Sequence, residues 1–329
     1  MLNLYPPSAH NVYKGVVNSY PPEVDAAAQQ INEATSGLGT DEKTLTEVLG
    51  SKTPEQRFLI SERYKALFGT DLKSLVNSET SGHYGKLLSF IATPLPETEC
   101  QILRLATKGS GTTEKYIFPI LVGRTNVEIN ILKKTYFDLY GEDLAVLMNN
   151  ELGGDFKKVI MASLQGALVD FRADFHTAAK AEEDADALYA AGQGRFGTDE
   201  EAFIKIIVTS PPEHLRNVNA VYAKKYNYTI ITAVEKEFGG DAEKALLFAV
   251  RQVLEPLELL AEYFESTMKG FGTDEEGLSS AVVRYHIVLP QIKEAYKKKY
   301  GKELRDRIHG EVSGDYRALL LSILDAPSH

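Results

Sequence analysis

Lys269-Gly270-Phe271-Gly272-Thr273 is one of four short glycine loops that recur along this chain of 329 residues. A lone glutamate follows each loop, and the separation from the last loop glycine to that glutamate is 40, 40, 40 and 39 residues. This regularity indicates that each loop and its glutamate are two halves of one site. The other loops are Ser36-Gly37-Leu38-Gly39-Thr40, Lys108-Gly109-Ser110-Gly111-Thr112 and Gly194-Arg195-Phe196-Gly197-Thr198, and the glutamates are Glu79, Glu151, Glu237 and Glu311.

The repetition extends beyond the loops. They are spaced by 72, 86 and 75 residues, which indicates a unit of roughly seventy residues with a longer joint in the middle. Two further markers keep this register, a turn such as Leu67-Phe68-Gly69-Thr70 after each loop and a short pair such as Ser81-Gly82 after each glutamate. Units that repeat in this way bury their apolar faces against their neighbours.

Between these markers the chain has a helical pattern. Apolar residues fall at spacings of three and four, as in Leu45, Val48 and Leu49. The β-branched run at 228–232 lies where the sister repeats look helical, and we interpret it as helix as well. Because the markers are turns, each repeat divides into about five short helices, and the predicted fold is all-α. The predicted segments are an N-terminal tail at 1–22, repeats at 23–93, 94–165, 183–254 and 255–327, and a helix-containing linker at 166–182.

The loop threonines are expected to begin helices. Threonine is a good N-cap, and acidic residues follow in the first turn, where the helix dipole favours negative charge. In the third and fourth copies a glutamate stands three residues after the threonine, Glu201 or Glu276, which predicts a capping box. The expected N-caps are Thr40, Thr112, Thr198 and Thr273.

The composition is that of an ordinary globular protein, with 43% hydrophobic and 25% charged residues. No apolar run reaches the roughly 18 residues of a membrane-spanning helix, and the first residues lack the pattern of a secretion signal. The single cysteine, Cys100, fits a reducing compartment and is expected to be a buried helix residue. We therefore expect a cytoplasmic protein.

The formal net charge of −10 restricts the partners. Nucleic acid and anionic lipid both attract basic segments, so each repels such a chain. This charge predicts no nucleic-acid partner, and it predicts membrane binding only through an intervening cation, for which a divalent metal ion is the obvious candidate.

An enzyme is not predicted. Residues 192–197 match G-x-G-x-x-G literally, but a dinucleotide site needs a preceding strand, and residues 182–189 have a helical pattern. There is no Walker loop, no His-Glu-x-x-His and no EF-hand loop. The seven histidines have no ligand spacing and are expected on the surface; they are His10, His83, His176, His214, His286, His309 and His329.

The chemistry of the loops points to calcium. Ca²⁺ takes six to eight oxygen ligands from carboxylates, backbone carbonyls and water. Glycines let a loop aim several carbonyls at one point, and a glutamate alongside adds two more oxygens. About five protein oxygens leave coordination places for a lipid phosphate. One carboxylate per ion predicts weak single sites, whereas four sites acting together gain avidity.

The four glycine loops, their distant glutamates and the seventy-residue period resemble the annexins over about nine-tenths of the chain. The resemblance implies four five-helix repeats in a slightly curved disc, with calcium loops on the convex face. It also implies that the protein docks reversibly on anionic phospholipid membranes when calcium rises and associates with itself there. The implied role is in membrane organisation, traffic or repair. The implied ligands are the carbonyls of Thr35, Gly37, Gly39, Thr107, Gly109, Gly111, Gly192, Arg195, Gly197, Met268, Gly270 and Gly272, and the carboxylates of Glu79, Glu151, Glu237 and Glu311.

The four sites are not equal in sequence. The third loop is longer, and the fourth repeat lacks one residue near 283–286, which makes Glu311 the least secure ligand. The residues between the glycines stand at the loop tips, and three of the four are apolar, which predicts shallow insertion into the membrane interface. These tips are Leu38, Ser110, Phe196 and Phe271.

Two alternatives stay open. Residues 1–22 contain two Tyr-Pro-Pro units, which favour an extended tail, and the alternative is a docking strip for a protein partner. The whole chain could instead be a calcium-independent helical-repeat scaffold for protein interactions, in which the glycine loops only cap helices. Glutamate in all four copies favours the calcium-dependent function.

Overall fold

The structure, a computed structural model, describes residues 2–5, 17 and 19–328. Among these residues there are twenty α-helices and no β-strand, apart from one isolated bridge between Gly37 and Gly39. The helices form four sets of five, which confirms the predicted all-α fold of four repeats. They belong to two compact units, and the curved disc expected for the whole chain stays a prediction.

One unit, residues 4–101 and 260–329, holds the first repeat and most of the fourth. A π-helical turn, Thr46–Gly50, continues the second helix of the first repeat, and a 3-10 turn, His286–Val288, precedes the third helix of the fourth. The first repeat consists of α1 (Pro22–Thr35), α2 (Glu42–Leu45), α3 (Pro54–Phe68), α4 (Leu72–Glu79) and α5 (Gly82–Ile91). The fourth consists of α16 (Pro256–Ser266), α17 (Glu275–Arg284), α18 (Leu289–Tyr300), α19 (Leu304–Glu311) and α20 (Gly314–Asp325).

The other unit, residues 1–3 and 102–259, holds most of the second repeat and the third. The predicted linker at 166–182 includes the first turn of the third repeat's first helix. The second repeat consists of α6 (Leu95–Thr107), α7 (Glu114–Leu121), α8 (Asn126–Tyr140), α9 (Leu144–Glu151) and α10 (Gly154–Leu164). The third consists of α11 (Ala178–Ala191), α12 (Glu200–Thr209), α13 (Pro212–Tyr226), α14 (Ile230–Glu237) and α15 (Gly240–Leu254).

The third helix of every repeat ends at a residue with left-handed backbone geometry. Three of these residues are glycines, and the other is Asn227, a residue type that tolerates this geometry better than most. The next helix follows at once. The β-branched run at 228–232 is therefore split, with Thr229 as N-cap and Ile230 as the first residue of α14, so most of it is helical as predicted.

A buried polar cluster holds the start of the chain. Arg284 Nε donates to Glu99 Oε1 at 2.7 Å, and both side chains are wholly buried. The hydroxyl of Tyr5 donates to the other carboxylate oxygen of Glu99, and Leu4 beside it is buried too. The first Tyr-Pro-Pro unit is thus anchored through its tyrosine, whereas residues 6–16 and 18 of the expected tail lie outside the described residues.

Cys100 is buried in α6 as expected, and burial raises the pKa of its thiol. The expectation that the histidines lie on the surface is wrong for three of them. His176, His214 and His286 are buried. A polar partner offsets the cost of burying such a ring, and His214 Nε2 lies 2.7 Å from Asp184 Oδ2. His10 and His329 lie outside the described residues.

Candidate calcium-binding loops

Each glycine loop connects the first helix of its repeat to the second, and the same backbone hydrogen bond closes all four loops. The backbone amide directly after the loop threonine donates to a carbonyl at, or one residue past, the end of the first helix. These bonds join Asp41 to Ala34 at 2.9 Å, Thr113 to Ala106 at 2.8 Å, Asp199 to Ala191 at 2.7 Å and Asp274 to Thr267 at 2.8 Å. The four loops therefore share one frame, although the third carries an extra residue.

Each predicted glutamate is the last residue of the fourth helix of its repeat. In the first repeat the Thr40 hydroxyl donates to the carbonyl of Glu79 at 3.0 Å and to its carboxylate at 3.4 Å. Matching bonds to the carboxylate join Thr198 to Glu237 and Thr273 to Glu311. In three repeats the loop and the residue some forty positions downstream are thus in contact, as the spacing predicted.

The predicted N-caps are wrong by one residue. The helices after the loops are capped by Asp41, Thr113, Asp199 and Asp274. Each of the three aspartates accepts a hydrogen bond from the amide three residues on, and the capping boxes expected with Glu201 and Glu276 do not form in this described region. The aspartate brings negative charge to the helix N-terminus, and the threonine hydroxyl is left to bind the glutamate.

Two helix C-termini meet at each of these contacts. In the first repeat α1 ends at Thr35 and α4 ends at Glu79. The last four carbonyls of a helix lack partners within it, and the helix dipole places about half a negative charge there. Two such ends and one carboxylate favour a cation. Among the described residues, no three His, Cys, Asp or Glu side chains form a metal-binding group. Backbone carbonyls and a single carboxylate are ligands that suit Ca²⁺.

The loop backbones fall into groups that the sequence did not indicate. The last loop glycine is left-handed in every copy, with φ of 89°, 94°, 78° and 86° at Gly39, Gly111, Gly197 and Gly272. The preceding loop glycine also has positive φ, 118° at Gly109 and 116° at Gly270, in the second and fourth copies only. The second and fourth loops therefore share left-handed geometry at both glycines, whereas the first loop has it only at Gly39.

The glutamates of the second and third sites have different surroundings. Glu151 is exposed, and among the described residues neither its side chain nor that of Thr112 makes a hydrogen bond or an ion pair. Glu237 accepts a hydrogen bond from the Gln193 amide, and a Cβ added to Gly192 would lie 2.9 Å from its carboxyl carbon. The carboxylate of Glu237 therefore lies directly against the longer third loop.

The fourth site contains a residue that sequence reasoning missed. Arg307 donates from Nη1 to Glu311 Oε1 and from Nη2 to the carbonyl of Met268 at 2.6 Å. One guanidinium therefore joins the predicted carboxylate to a predicted loop carbonyl. The sequence signal that could have identified Arg307 is its position four residues before the glutamate. The other copies have Leu75, Leu147 and Ala233 at that position. Residues 283–286, where the fourth repeat is one residue shorter, include the end of α17 and the start of the 3-10 turn.

The loop tips are at the surface. Leu38, Phe196 and Phe271 are fully exposed large apolar side chains, and Ser110 is exposed at the same place in the second loop. Large hydrophobic side chains that lie beside polar sites are seldom exposed to water as a group unless they contact a partner. Among the described residues, no helix combines the length and apolar character needed to cross a bilayer.

The annexin family model matches the chain four times, at residues 26–91, 98–163, 183–248 and 260–323. The chain belongs to the annexin family. It is 35% identical over 305 residues to annexin A13 of Mus musculus, a match that covers 92% of this chain and 95% of that protein. The annexins are calcium-dependent phospholipid-binding proteins and are generally not enzymes.

Solved annexin structures have the same fold. The structure of annexin III superimposes with a TM-score of 0.87 at 32% identity, covering 95% of this annexin and 96% of that chain. Calcium-bound annexin (Sm)1 superimposes with a TM-score of 0.81 at 25% identity, covering 98% of this annexin and 99% of that chain. The annexin family binds Ca²⁺.

Proposed function

We propose that this annexin docks reversibly on anionic phospholipid membranes through calcium ions shared between its loops and lipid phosphates. The proposal rests on the recurrent contact between a glycine loop and a glutamate at the ends of two helices. The chain has a net charge of −10, so a bound cation supplies the positive charge that attraction to an acidic membrane requires.

In this proposal the first three sites draw their carboxylates from Glu79, Glu151 and Glu237. Loop carbonyls fill much of the remaining shell, and a lipid phosphate or water takes what is left. The carbonyls are those of Thr35, Gly37, Gly39, Thr107, Gly109, Gly111, Gly192, Arg195 and Gly197. The fourth set, Met268, Gly270, Gly272 and Glu311, has the loop backbone of the second set but also contains Arg307.

The donor set also supports reversible binding. Calcium affinity rises with the number of charged ligands, and each loop has a single carboxylate. Separate weak sites on one chain act together when they engage one surface, and avidity then rises by about 10²–10⁴. Such a protein stays in the cytoplasm at low calcium and binds membranes when calcium rises. We also propose that the tail is where a protein partner binds, with Tyr5 as its fixed anchor, and that bound molecules associate on the membrane.

Sedimentation with phosphatidylserine vesicles tests the proposal. We expect the chain to pellet with vesicles in calcium and to stay in the supernatant in EGTA. The quadruple variant Glu79→Gln, Glu151→Gln, Glu237→Gln, Glu311→Gln should stay in the supernatant in both conditions, with unchanged helical circular dichroism. Binding that persists in EGTA would reject the calcium bridge, and a folded chain that never binds vesicles would favour the protein scaffold instead.

A further inference from the structure

The fourth loop holds a cation that belongs to the protein itself. The Arg307 guanidinium contacts Glu311 and the carbonyl of Met268, which come from the two halves of the predicted calcium site. It also donates from Nε and Nη2 to the two carboxylate oxygens of Glu265, at 3.2 and 3.3 Å. Three groups therefore fix the guanidinium, and its side chain is only 20% exposed.

Glu265 adds to this arrangement. Burial favours its protonated form, but hydrogen bonds from Tyr296 and Arg307 outweigh that effect and lower the pKa of Glu265. Its carboxylate is therefore ionised at neutral pH and pairs with one edge of the guanidinium, through Nε and Nη2, in the bidentate geometry that favours binding of a carboxylate by arginine. Arg307 is thus fixed by more than its contact with Glu311.

No other repeat can build this contact. The position three residues before the first predicted carbonyl ligand is Asn32, Arg104, Tyr189 and Glu265 in the four copies. The position four residues before the site glutamate is Leu75, Leu147, Ala233 and Arg307. Only the fourth copy pairs a carboxylate at the first position with an arginine at the second.

We propose that the guanidinium of Arg307 holds the cation position of the fourth loop, so that this loop does not bind calcium at concentrations that load the other three. The proposal rests on the calcium-binding function of the other loops. A guanidinium and a calcium ion cannot both use the same carboxylate oxygen and the same carbonyl, and two positive charges so close repel each other.

Equilibrium dialysis of the full chain with calcium alone tests the proposal at a free calcium concentration that loads the first three loops. We expect about three ions per chain, in line with one carboxylate for each loaded loop. Glu79→Gln should lower that number by about one, whereas Glu311→Gln should leave it unchanged. Arg307→Leu, which installs the residue of the first two repeats, should raise it by about one, and Glu311→Gln in that background should reverse the gain.

A matched control is available on the same helix. Arg305 also lies in α19, but it pairs with Asp325 at 2.9 Å and contacts no loop donor. Arg305→Leu changes the net charge equally and should bind the same number of ions as the parent. The proposal is overturned if Glu311→Gln alone removes an ion, or if folded Arg307→Leu gains none. A Glu79→Gln chain that loses no ion would instead overturn the proposed function, so the two failures are distinguishable.

Discussion

The second and fourth loops have nearly the same backbone and very different charges around it. Gly109 and Gly111 match Gly270 and Gly272 in their left-handed angles. The side chain of Glu151 is nevertheless exposed, whereas that of Glu311 accepts a hydrogen bond from Arg307. Loops with the same glycine geometry can therefore have glutamates in different surroundings. In our proposal, the loop backbone provides the cation position, and side chains on the first and fourth helices determine which cation occupies it.

The largest expected effect separates these two loops on a membrane. Glu151→Gln removes the carboxylate that we propose for the second site and should raise the calcium needed for half-maximal vesicle binding by about tenfold, which corresponds to about 1.4 kcal/mol. Glu311→Gln should leave that concentration within twofold of the parent, because its carboxylate serves Arg307. Sedimentation with phosphatidylserine vesicles across a calcium series measures both.

The control for this pair is Glu235→Gln, which changes an exposed carboxylate in α14 outside any loop contact. It should not move the midpoint. Equal shifts for Glu151→Gln and Glu311→Gln would show that the two sites work alike and that the guanidinium is no obstacle.

The shared backbone predicts equal costs where the two loops are alike. Gly111→Ala and Gly272→Ala each place a Cβ on a residue with φ of 94° or 86°, with no neighbouring atom within 4 Å. The penalty is therefore backbone strain alone, about 1–2 kcal/mol in each loop. Thermal unfolding in EGTA should show equal losses for both variants.

Gly310→Ala is the reference for that experiment. Gly310 lies inside α19, has no left-handed φ, and has open space around it, so alanine should stabilise the helix by about 0.5–1 kcal/mol. A loss at Gly272 much larger than that at Gly111 would mean that the two loops do not share one energetic basis.

Much of the fold followed from the sequence because its signals are local and repeated. Spacings of three and four gave the helices, and turn residues such as Gly69 and Asn227 end the third helices where the markers stood. The N-caps were misplaced by one residue because threonine and aspartate are both good caps. The choice between Thr40 and Asp41 depends on the distant Glu79, which a local pattern does not contain.

The sequence predicted which glutamate pairs with which loop, but it did not predict the charged side chains that surround each pair. A fixed separation of about forty residues identified Glu79 and Glu237 as partners of their loops. The contacts of Arg307 were missed because they form only in the folded chain, where α16 and α19 bring Glu265, Met268 and Glu311 around its side chain. The anchoring of Tyr5 on Glu99 was missed for the same reason, since 94 positions separate them.

The smallest expected effect concerns the tips, where the two matched loops differ by one side chain. Phe271 and Ser110 are both exposed, each between two left-handed glycines. Replacing the phenylalanine by serine, or the serine by phenylalanine, therefore changes contact with a membrane without changing the packing of the protein. Full burial of phenylalanine contributes about 1.5–3 kcal/mol, and shallow insertion should give about half of the lower figure. We expect Phe271→Ser to weaken vesicle binding at limiting calcium by roughly threefold to fivefold and Ser110→Phe to strengthen it similarly. Phe137→Ser, at an exposed position on α8 away from the loops, should change nothing. If the two tip variants also change nothing, the tips do not enter the membrane, and loops two and four differ in their cations alone.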